Sequence, residues 1–175
     1  MHSKNPLLVL ATVVLLSGCT LGDAARVLVS GMPQRILPTN RAASLTLFAG
    51  PEVNMKEGET ISRPVRICVY THLAEDWLPP LDLSAKCAES SSKLVKVEEA
   101  ILVANRVANF STRVPYQENA WITVTADFIQ AGSVGNNILK LKSPAEIDTC
   151  HWARIDKNVI AEVSKVSPGI QPVCK

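Results

Sequence analysis

The sequence predicts a mainly antiparallel β-sandwich with a small helical insertion. Three short segments alternate apolar and polar residues, which is the period of a half-buried strand. Segments rich in Gly, Pro and charged residues separate them and are typical of turns and loops. A chain of 175 residues suits one such domain and is long enough to bury a continuous core.

The first two strands are predicted at residues 44–48 and 64–70. Alternation directs one set of their side chains to the core: Leu45, Leu47, Val65, Ile67 and Val69. Because neighbouring side chains of a strand point to opposite faces, Cys68 is expected on the outer face with Arg66 and Tyr70.

The clearest strand pattern covers residues 121–128. Its predicted core face consists of Ile122, Val124, Ala126 and Phe128, and its predicted outer face of Trp121, Thr123, Thr125 and Asp127. A late strand is predicted at residues 158–166, where Val159, Ala161 and Val163 alternate with other residues.

The remaining segments are less regular. Residues 73–93 predict one or two short helices, interrupted by Pro79 and Pro80. Residues 93–107 are ambiguous: Leu94, Val97 and Ile101 fit helical spacing, whereas Val103, Asn105, Val107 and Asn109 fit strand alternation. At residues 143–146, a capping Ser, a Pro at the first helical position and a following Glu predict a short helical turn.

The N-terminus has the pattern of a bacterial lipoprotein signal. Lys4 precedes an apolar run at residues 6–16, which is too short to cross roughly 30 Å of hydrocarbon. The run ends in Leu-Ser-Gly-Cys at residues 16–19, where small residues give a peptidase access and the Cys19 sulfur receives a diacylglycerol. The alternative is a plain secretory signal with a chance cysteine.

These features predict three parts of the chain: a signal peptide at 1–18, a lipidated cysteine and tether at 19–43, and a β-sandwich domain at 44–175. Thr20 follows the cysteine, whereas Asp at that position usually retains lipoproteins in the inner membrane. We therefore expect the mature protein at the periplasmic face of the outer membrane, attached through lipid.

Four cysteines remain beside the acylated one: Cys68, Cys87, Cys150 and Cys174. An even number in an oxidising compartment suggests two disulfides, with three possible pairings. We favour Cys68–Cys87 and Cys150–Cys174, because the partner of an outward-facing Cys68 must lie on a segment that covers that face. The sequence has no closely spaced cysteine pair of the kind that binds zinc, and we expect no metal.

The charge balance and the motifs argue against two classes of function, nucleic-acid binding and catalysis. The chain has 18 Lys and Arg against 16 Asp and Glu, which is too balanced for nucleic-acid binding through bulk electrostatics. Residues 131–135 lack the first Gly of a nucleophile elbow, and His72 and His151 lack nucleophile or ligand spacing. We expect no enzymatic activity, and no cofactor beyond the N-terminal lipid.

Two segments resemble a known family. Residues 45–54 read Leu-Thr-Leu-Phe-Ala-Gly-Pro-Glu-Val-Asn, and residues 63–73 read Arg-Pro-Val-Arg-Ile-Cys-Val-Tyr-Thr-His-Leu. Behind a lipobox and a tether, they resemble the type VI secretion lipoprotein family (TssJ, also called VasD), and the resemblance covers residues 16–130. Ile129 replaces the family's usual Arg, and the cysteine-rich C-terminal part is a further departure.

The resemblance implies a transthyretin-like β-sandwich anchored in the outer membrane. Such proteins bind the periplasmic C-terminal region of an inner-membrane IcmF-like protein (TssM) and help to build the trans-envelope complex. The loop after the first strand, residues 50–61 here, contributes to that contact in the family. The side chains expected to bind the partner are Glu52, Val53, Asn54, Met55, Lys56 and Glu57. The turn-rich composition of this loop independently predicts that it is exposed.

Two other functions fit a small lipoprotein braced by disulfides. A periplasmic inhibitor, for instance of lysozyme, would insert a loop into an enzyme cleft, and residues 132–135 are the candidate loop. A small ligand-binding lipoprotein would need an apolar pocket.

The lipobox generates a direct prediction. A Cys19→Ser variant should no longer incorporate fatty acid or fractionate with the outer membrane, because the acylated sulfur is removed, while the domain should still fold. Labelling cells with a radioactive fatty acid measures this. Continued incorporation by the variant would show that Cys19 is not the lipidated residue.

Overall fold

Eight β-strands in two sheets form the described part of the chain. The computed structural model describes residues 38–79, 87, 92–129 and 137–164, and these residues contain no α-helix. The strands are β1 (Asn40–Ala49), β2 (Val65–His72), β3 (Leu94–Leu102), β4 (Val107–Pro115), β5 (Ala120–Asp127), β6 (Ile138–Ser143), β7 (Thr149–Asp156) and β8 (Val159–Glu162).

Each sheet has four strands. The order is β4-β1-β7-β8 in one, called the β1 sheet below, and β3-β2-β5-β6 in the other, called the β2 sheet. All neighbouring pairs are antiparallel except β1 and β7, which are parallel. This pair arises because β6 ends near the start of β1, and a short turn then leads β7 in the same direction as β1. The mainly antiparallel β-sandwich predicted from the sequence is confirmed, with this one parallel pair.

The core lies between the two sheets and consists of alternate strand residues. All the side chains predicted to face it from the first three strand patterns are buried: Leu45, Leu47, Val65, Ile67, Val69, Ile122, Val124, Ala126 and Phe128. Three of these patterns are therefore correct in element, face and register. The period-2 pattern is reliable here because one face of each strand is fully withdrawn from water.

Strand β1 begins four residues before the predicted start at residue 44. Its second residue, Arg41, is 3% exposed. The guanidinium donates to the Ser143 hydroxyl at 2.6 Å, to the Ser143 main-chain oxygen at 2.8 Å and to the Glu118 main-chain oxygen at 2.8 Å. The apolar-polar pattern missed this part of the strand because a charge at a strand end is typical of an exposed residue.

Three weaker sequence predictions have mixed outcomes. Among the ambiguous residues 93–107, the part with helical spacing forms the strand β3, whereas residues 103–106, which alternate like a strand, form the turn to β4. The helical turn predicted at 143–146 is wrong. There the chain makes a turn between β6 and β7 in which Glu146 has a φ of 67° and its amide donates to the Tyr116 oxygen at 2.7 Å. The late strand exists as β8, but its buried side chain is Ile160 and not the predicted alternating set.

A short segment covers the outer face of the β2 sheet. We call it the strap and define it as residues 73–79 together with Cys87. Cys87 forms the predicted disulfide with Cys68, closing a separation of 19 residues, which stabilises a chain by roughly 3 kcal/mol in the chain-entropy model. Under the strap, Tyr70 is fully buried and its ring lies 5.1 Å from that of Trp77. The prediction that the segment carrying Cys87 covers this face is therefore confirmed.

Only one cysteine of the second predicted disulfide lies within the described residues. Cys150 is disulfide-bonded. Cys174 lies outside the described residues, so its pairing with Cys150 stays a prediction. The helices predicted within residues 73–93 are absent from 73–79, and most of the remainder also lies outside the described residues.

His72 links the strap to the sheet. Its Nδ1 lies 2.8 Å from the Ala74 oxygen, and its Nε2 lies 2.8 Å from the Thr123 hydroxyl. Because a carbonyl oxygen can only accept, Nδ1 carries the proton and Nε2 accepts from Thr123. Burial lowers the pKa of His72 from its ordinary value of 6.5; the hydrogen bond to Ala74 raises it, and the charge of Lys140 lowers it further.

This environment predicts a pH-dependent stability. Since the folded pKa of His72 is lowered, the unfolded chain binds a proton more readily, and the free energy of unfolding should fall as the pH drops below about 6.5. A His72→Phe variant should be less stable near neutral pH but should lose less stability on acidification. Urea unfolding at about pH 7.5 and about pH 5.5 measures both. Equal losses in the two proteins would contradict the assignment.

Candidate functional site

The loop predicted to bind a partner lies at one end of the sandwich. Here β1 ends, β2 begins, and the turns from β3 to β4 and from β7 to β8 lie beside the loop. Lys56 and Glu57 are exposed, and Glu52 and Met55 are half-buried. Glu52 forms an ion pair with Lys157 of the β7–β8 turn at 3.6 Å. These four side chains are at the surface, as the loop composition predicted.

Two residues of the same loop are not at the surface. Val53 is 0% exposed and Asn54 is 2% exposed, so the expectation that the whole loop is exposed is wrong for both. Val53 packs in the core with residues of both sheets. The composition could not reveal this, because one apolar residue within a Gly, Pro and charge-rich segment has no periodic neighbours.

Asn54 connects the loop to three other segments. Its amide donates to the Lys157 oxygen at 2.7 Å, and its side-chain nitrogen donates to the Pro64 oxygen at 2.7 Å. Its side-chain oxygen accepts from the Ile129 amide at 2.8 Å. The residue has a φ of 50°, which Asn adopts more readily than most residues. Asn54 therefore supports the loop from beneath, and its side chain is occupied within the domain.

A close backbone approach fixes the start of the loop. The Gly50 amide donates to the Ile155 oxygen at 2.7 Å, and a Cβ at Gly50 would lie 2.5 Å from the Asp156 carboxylate. Arg154 binds that carboxylate at 2.6 Å. Only Gly fits this position without displacing Asp156, so the loop leaves β1 at a defined point.

Four ion pairs lie at this end. The ion pairs are Arg63–Glu59 at 2.8 Å, Arg66–Asp127 at 3.2 Å, Arg154–Asp156 at 2.6 Å and Lys157–Glu52 at 3.6 Å. Each pair joins one positive and one negative group, so these eight side chains add no net charge to the surface.

Exposed apolar side chains are also concentrated at this end. We call the set the apolar end and define it as Ile61, Ile101, Val103, Val107, Ile129 and Val159. Of the large apolar residues that are exposed in the described part of the chain, only Leu78, Val95 and Ile147 lie elsewhere. Sequence reasoning missed this set because its members lie in or beside four connections that are far apart in the sequence.

The alternative functions find little support in the described residues. A depression of about 370 Å³ in the loop is lined by Gly58, Glu59, Thr60, Ile61 and Arg63. Ile61 is the one large apolar side chain among these lining residues, whereas apolar ligand pockets are lined mainly by hydrophobic and aromatic side chains. No group of His, Cys, Asp and Glu within the described ranges could hold a metal ion. The candidate inhibitor loop, residues 132–135, lies outside them. In the same part of the chain, no helix is long and apolar enough to cross a membrane.

Comparison with known proteins identifies the fold. No protein-family model and no curated protein matches the sequence. Among solved structures, the type VI secretion lipoprotein TssJ1 from Pseudomonas aeruginosa is 15% identical, with a TM-score of 0.55 over 75% of this chain and 100% of that one. The chain has the fold of TssJ1.

Two further structures agree with the TssJ1 fold. Lip from Serratia marcescens, a membrane-bound component of the type VI secretion system, is 14% identical, with a TM-score of 0.53 over 73% of this chain and 99% of its own. A chain in the structure of the TssM C-terminal domain from EAEC is 12% identical, with a TM-score of 0.54 and coverages of 71% and 99%. The fold implied by the sequence resemblance is therefore confirmed.

Asn54 generates a stability prediction. An Asn54→Ala variant should lower the free energy of unfolding by about 2 kcal/mol or more, because two side-chain hydrogen bonds are lost at a buried site and Ala tolerates a positive φ poorly. An Asn54→Gly variant should regain the part of this free energy of unfolding that Asn54→Ala loses through the positive φ. Urea unfolding measures both, with the exposed Lys56→Ala as the control, expected to stay within roughly 0.5 kcal/mol of the wild type. An Asn54→Ala variant as stable as this control would contradict the supporting role.

Proposed function

We propose that the protein is a lipid-anchored periplasmic adaptor of the type VI secretion membrane complex, in the family of TssJ and Lip. In this proposal it binds the periplasmic region of an IcmF/TssM-like inner-membrane protein. The observation that carries it is the match to two secretion lipoproteins over nearly their whole length, in a chain that also has a lipobox. Fold alone does not define function, so the lipobox is the necessary second feature.

The chain direction supports an adaptor between two membranes. β1 begins at Asn40 and ends at Ala49, next to the candidate loop. A chain anchored at Cys19 therefore enters the sandwich at the end opposite to the loop. In the proposed arrangement the loop end is available to a partner that approaches from the inner membrane, because the lipidated segment joins the sandwich at the other end.

The proposed binding residues of the loop are Glu52, Met55, Lys56 and Glu57. Met55 is half-buried and flexible, and such side chains adapt well to a pocket in a partner. Val53 and Asn54 belong to the same loop but act from beneath, because both are buried. Their contribution to binding is to hold the loop in place. The proposed activity is association, and it requires no bond to be made or broken.

A binding measurement tests this proposal. A Met55→Ser variant should bind the periplasmic region of the TssM-like protein at least about tenfold more weakly, a loss of about 1.4 kcal/mol. Its melting temperature should change little, since Met55 is at the surface. Leu78→Ser is the control, because Leu78 is exposed on the strap. Calorimetry measures the affinities. An unchanged affinity in the folded Met55→Ser protein would place the contact elsewhere.

A further inference from the structure

Part of the outer face of the β1 sheet, on the side away from the core, is withdrawn from water. Alternation places Ser44 and Thr46 of β1 on this face, because their neighbours Leu45 and Leu47 point into the core. Ser44 is nevertheless only 8% exposed and Thr46 only 3% exposed. The outer face of an antiparallel sheet is commonly solvated, so this burial indicates that other groups lie over it.

The burial of this face increases from one side of the sheet to the other. On β4, which forms one edge, Asn109 and Ser111 hydrogen-bond to Thr46 and Ser44 and are themselves exposed. On β7, at the other side of β1, Trp152 lies opposite Thr46. Its indole Nε1 is fully buried and has no hydrogen-bond partner among the described residues. The cover therefore lies over β1 and β7, and β4 stays open.

A disulfide indicates where the cover is attached. Cys150 of β7 lies on the same face and is disulfide-bonded. Cys68 and Cys87 are bonded to each other, which leaves Cys19 and Cys174 among the five cysteines of the chain. The lipobox reserves the sulfur of Cys19 for lipid, so Cys174 is the partner that remains.

The chain leaves β8 in a direction that suits this bond. β8 runs antiparallel to β7, and the ladder continues past its end, because the Val163 amide donates to the Trp152 oxygen at 2.9 Å. Ser164 therefore lies toward the start of β7, ten positions before Cys174. Ten residues reach at most about 33 Å, whereas neighbouring strands lie about 4.8 Å apart. The segment is long enough to cross both strands and return to Cys150.

The composition of this segment suits a cover. Residues 165–173 carry one charged side chain, Lys165. Their large apolar side chains are Val166, Ile170 and Val173. Pro168 and Pro172 have no amide hydrogen to donate, which disfavours a further strand in the sheet. Contact with a half-buried face therefore suits the segment better than extension of the sheet edge.

We propose that residues 165–174 lie across the outer face of β7 and β1, with Cys174 bonded to Cys150, and shield Trp152 from water. The segment would cover the β1 sheet as the strap covers the β2 sheet. This inference goes beyond the adaptor function, because it concerns a contact within the chain. Its consequence for association is that this part of the face is closed to other proteins, whereas the exposed side chains of β4 stay accessible.

The test uses the full-length mature lipoprotein in detergent and requires no partner protein. Peptide mapping without reduction identifies the cysteine that is bonded to Cys150. Hydroxyl-radical footprinting then compares the oxidation of Trp152 in the wild type and in a variant that ends at Ser164 and carries Cys150→Ser. Trp121 is the internal control, because it is buried on the other sheet.

We expect a Cys150–Cys174 peptide in the wild type. In the shortened variant, Trp152 should be oxidised at least about threefold faster and Trp121 at a rate within about 1.5-fold of the wild type, since susceptibility to oxidation follows exposure. Circular dichroism verifies folding. If the shortened variant does not fold, the full-length Cys150→Ser, Cys174→Ser variant takes its place, and Trp152 should again be oxidised faster because the segment is no longer fastened.

The outcomes distinguish this inference from the adaptor function. An unbonded Cys174, or oxidation of Trp152 at the same rate with and without the fastened segment, overturns the inference alone. A bond from Cys150 to Cys19 overturns the inference and also the lipid anchor of the adaptor. A failure to bind the TssM-like protein would overturn the adaptor function and leave this inference standing.

Discussion

The hydrogen bonds of Asn54 are the constraint on which the geometry of the loop end depends. Its amide binds the turn between β7 and β8 in the β1 sheet, while its side chain binds Pro64, just before β2, and Ile129, two residues after β5, in the β2 sheet. Apolar packing between two sheets is not directional and tolerates small sliding. Three directional bonds from one buried residue fix how the connections of the two sheets meet.

The outer face of the β2 sheet, on the side away from the core, is covered by the strap. β2 is buried on both faces, because the core covers one and the strap covers the other. The strap is held by a disulfide, by His72 and by Lys140, whose ammonium donates to the main-chain oxygens of Glu75 and Trp77. A short segment without regular structure can stay on a sheet only with such specific attachments, since it buries little apolar area of its own.

The apolar-polar alternation of the sequence predicted much of the sandwich, and contacts between residues far apart in the sequence determined the rest. The faces of β1, β2 and β5 follow from alternation because each has one side in the core. Arg41, Val53 and Asn54 were misjudged because their burial depends on residues about ten to a hundred positions away, such as Ser143 and Ile129. The parallel pairing of β1 with β7 is likewise invisible in either strand alone. The helical turn at 143–146 failed because the Glu146 amide binds Tyr116 instead of a helical neighbour.

The position of β1 has a mechanical consequence. β1 is an inner strand, paired with β4 from Asn40 to Phe48 and with β7 from Ala43 to Ala49. In the proposed arrangement, tension between an N-terminal anchor and a partner at the other end would run along this strand, across ladder bonds that are perpendicular to it on the β4 side and slanted on the β7 side. Both ladders would then resist in shear, with many bonds sharing the force at once, whereas a peeled strand gives way one bond at a time. The chain thus enters its domain through a strand suited to bear traction.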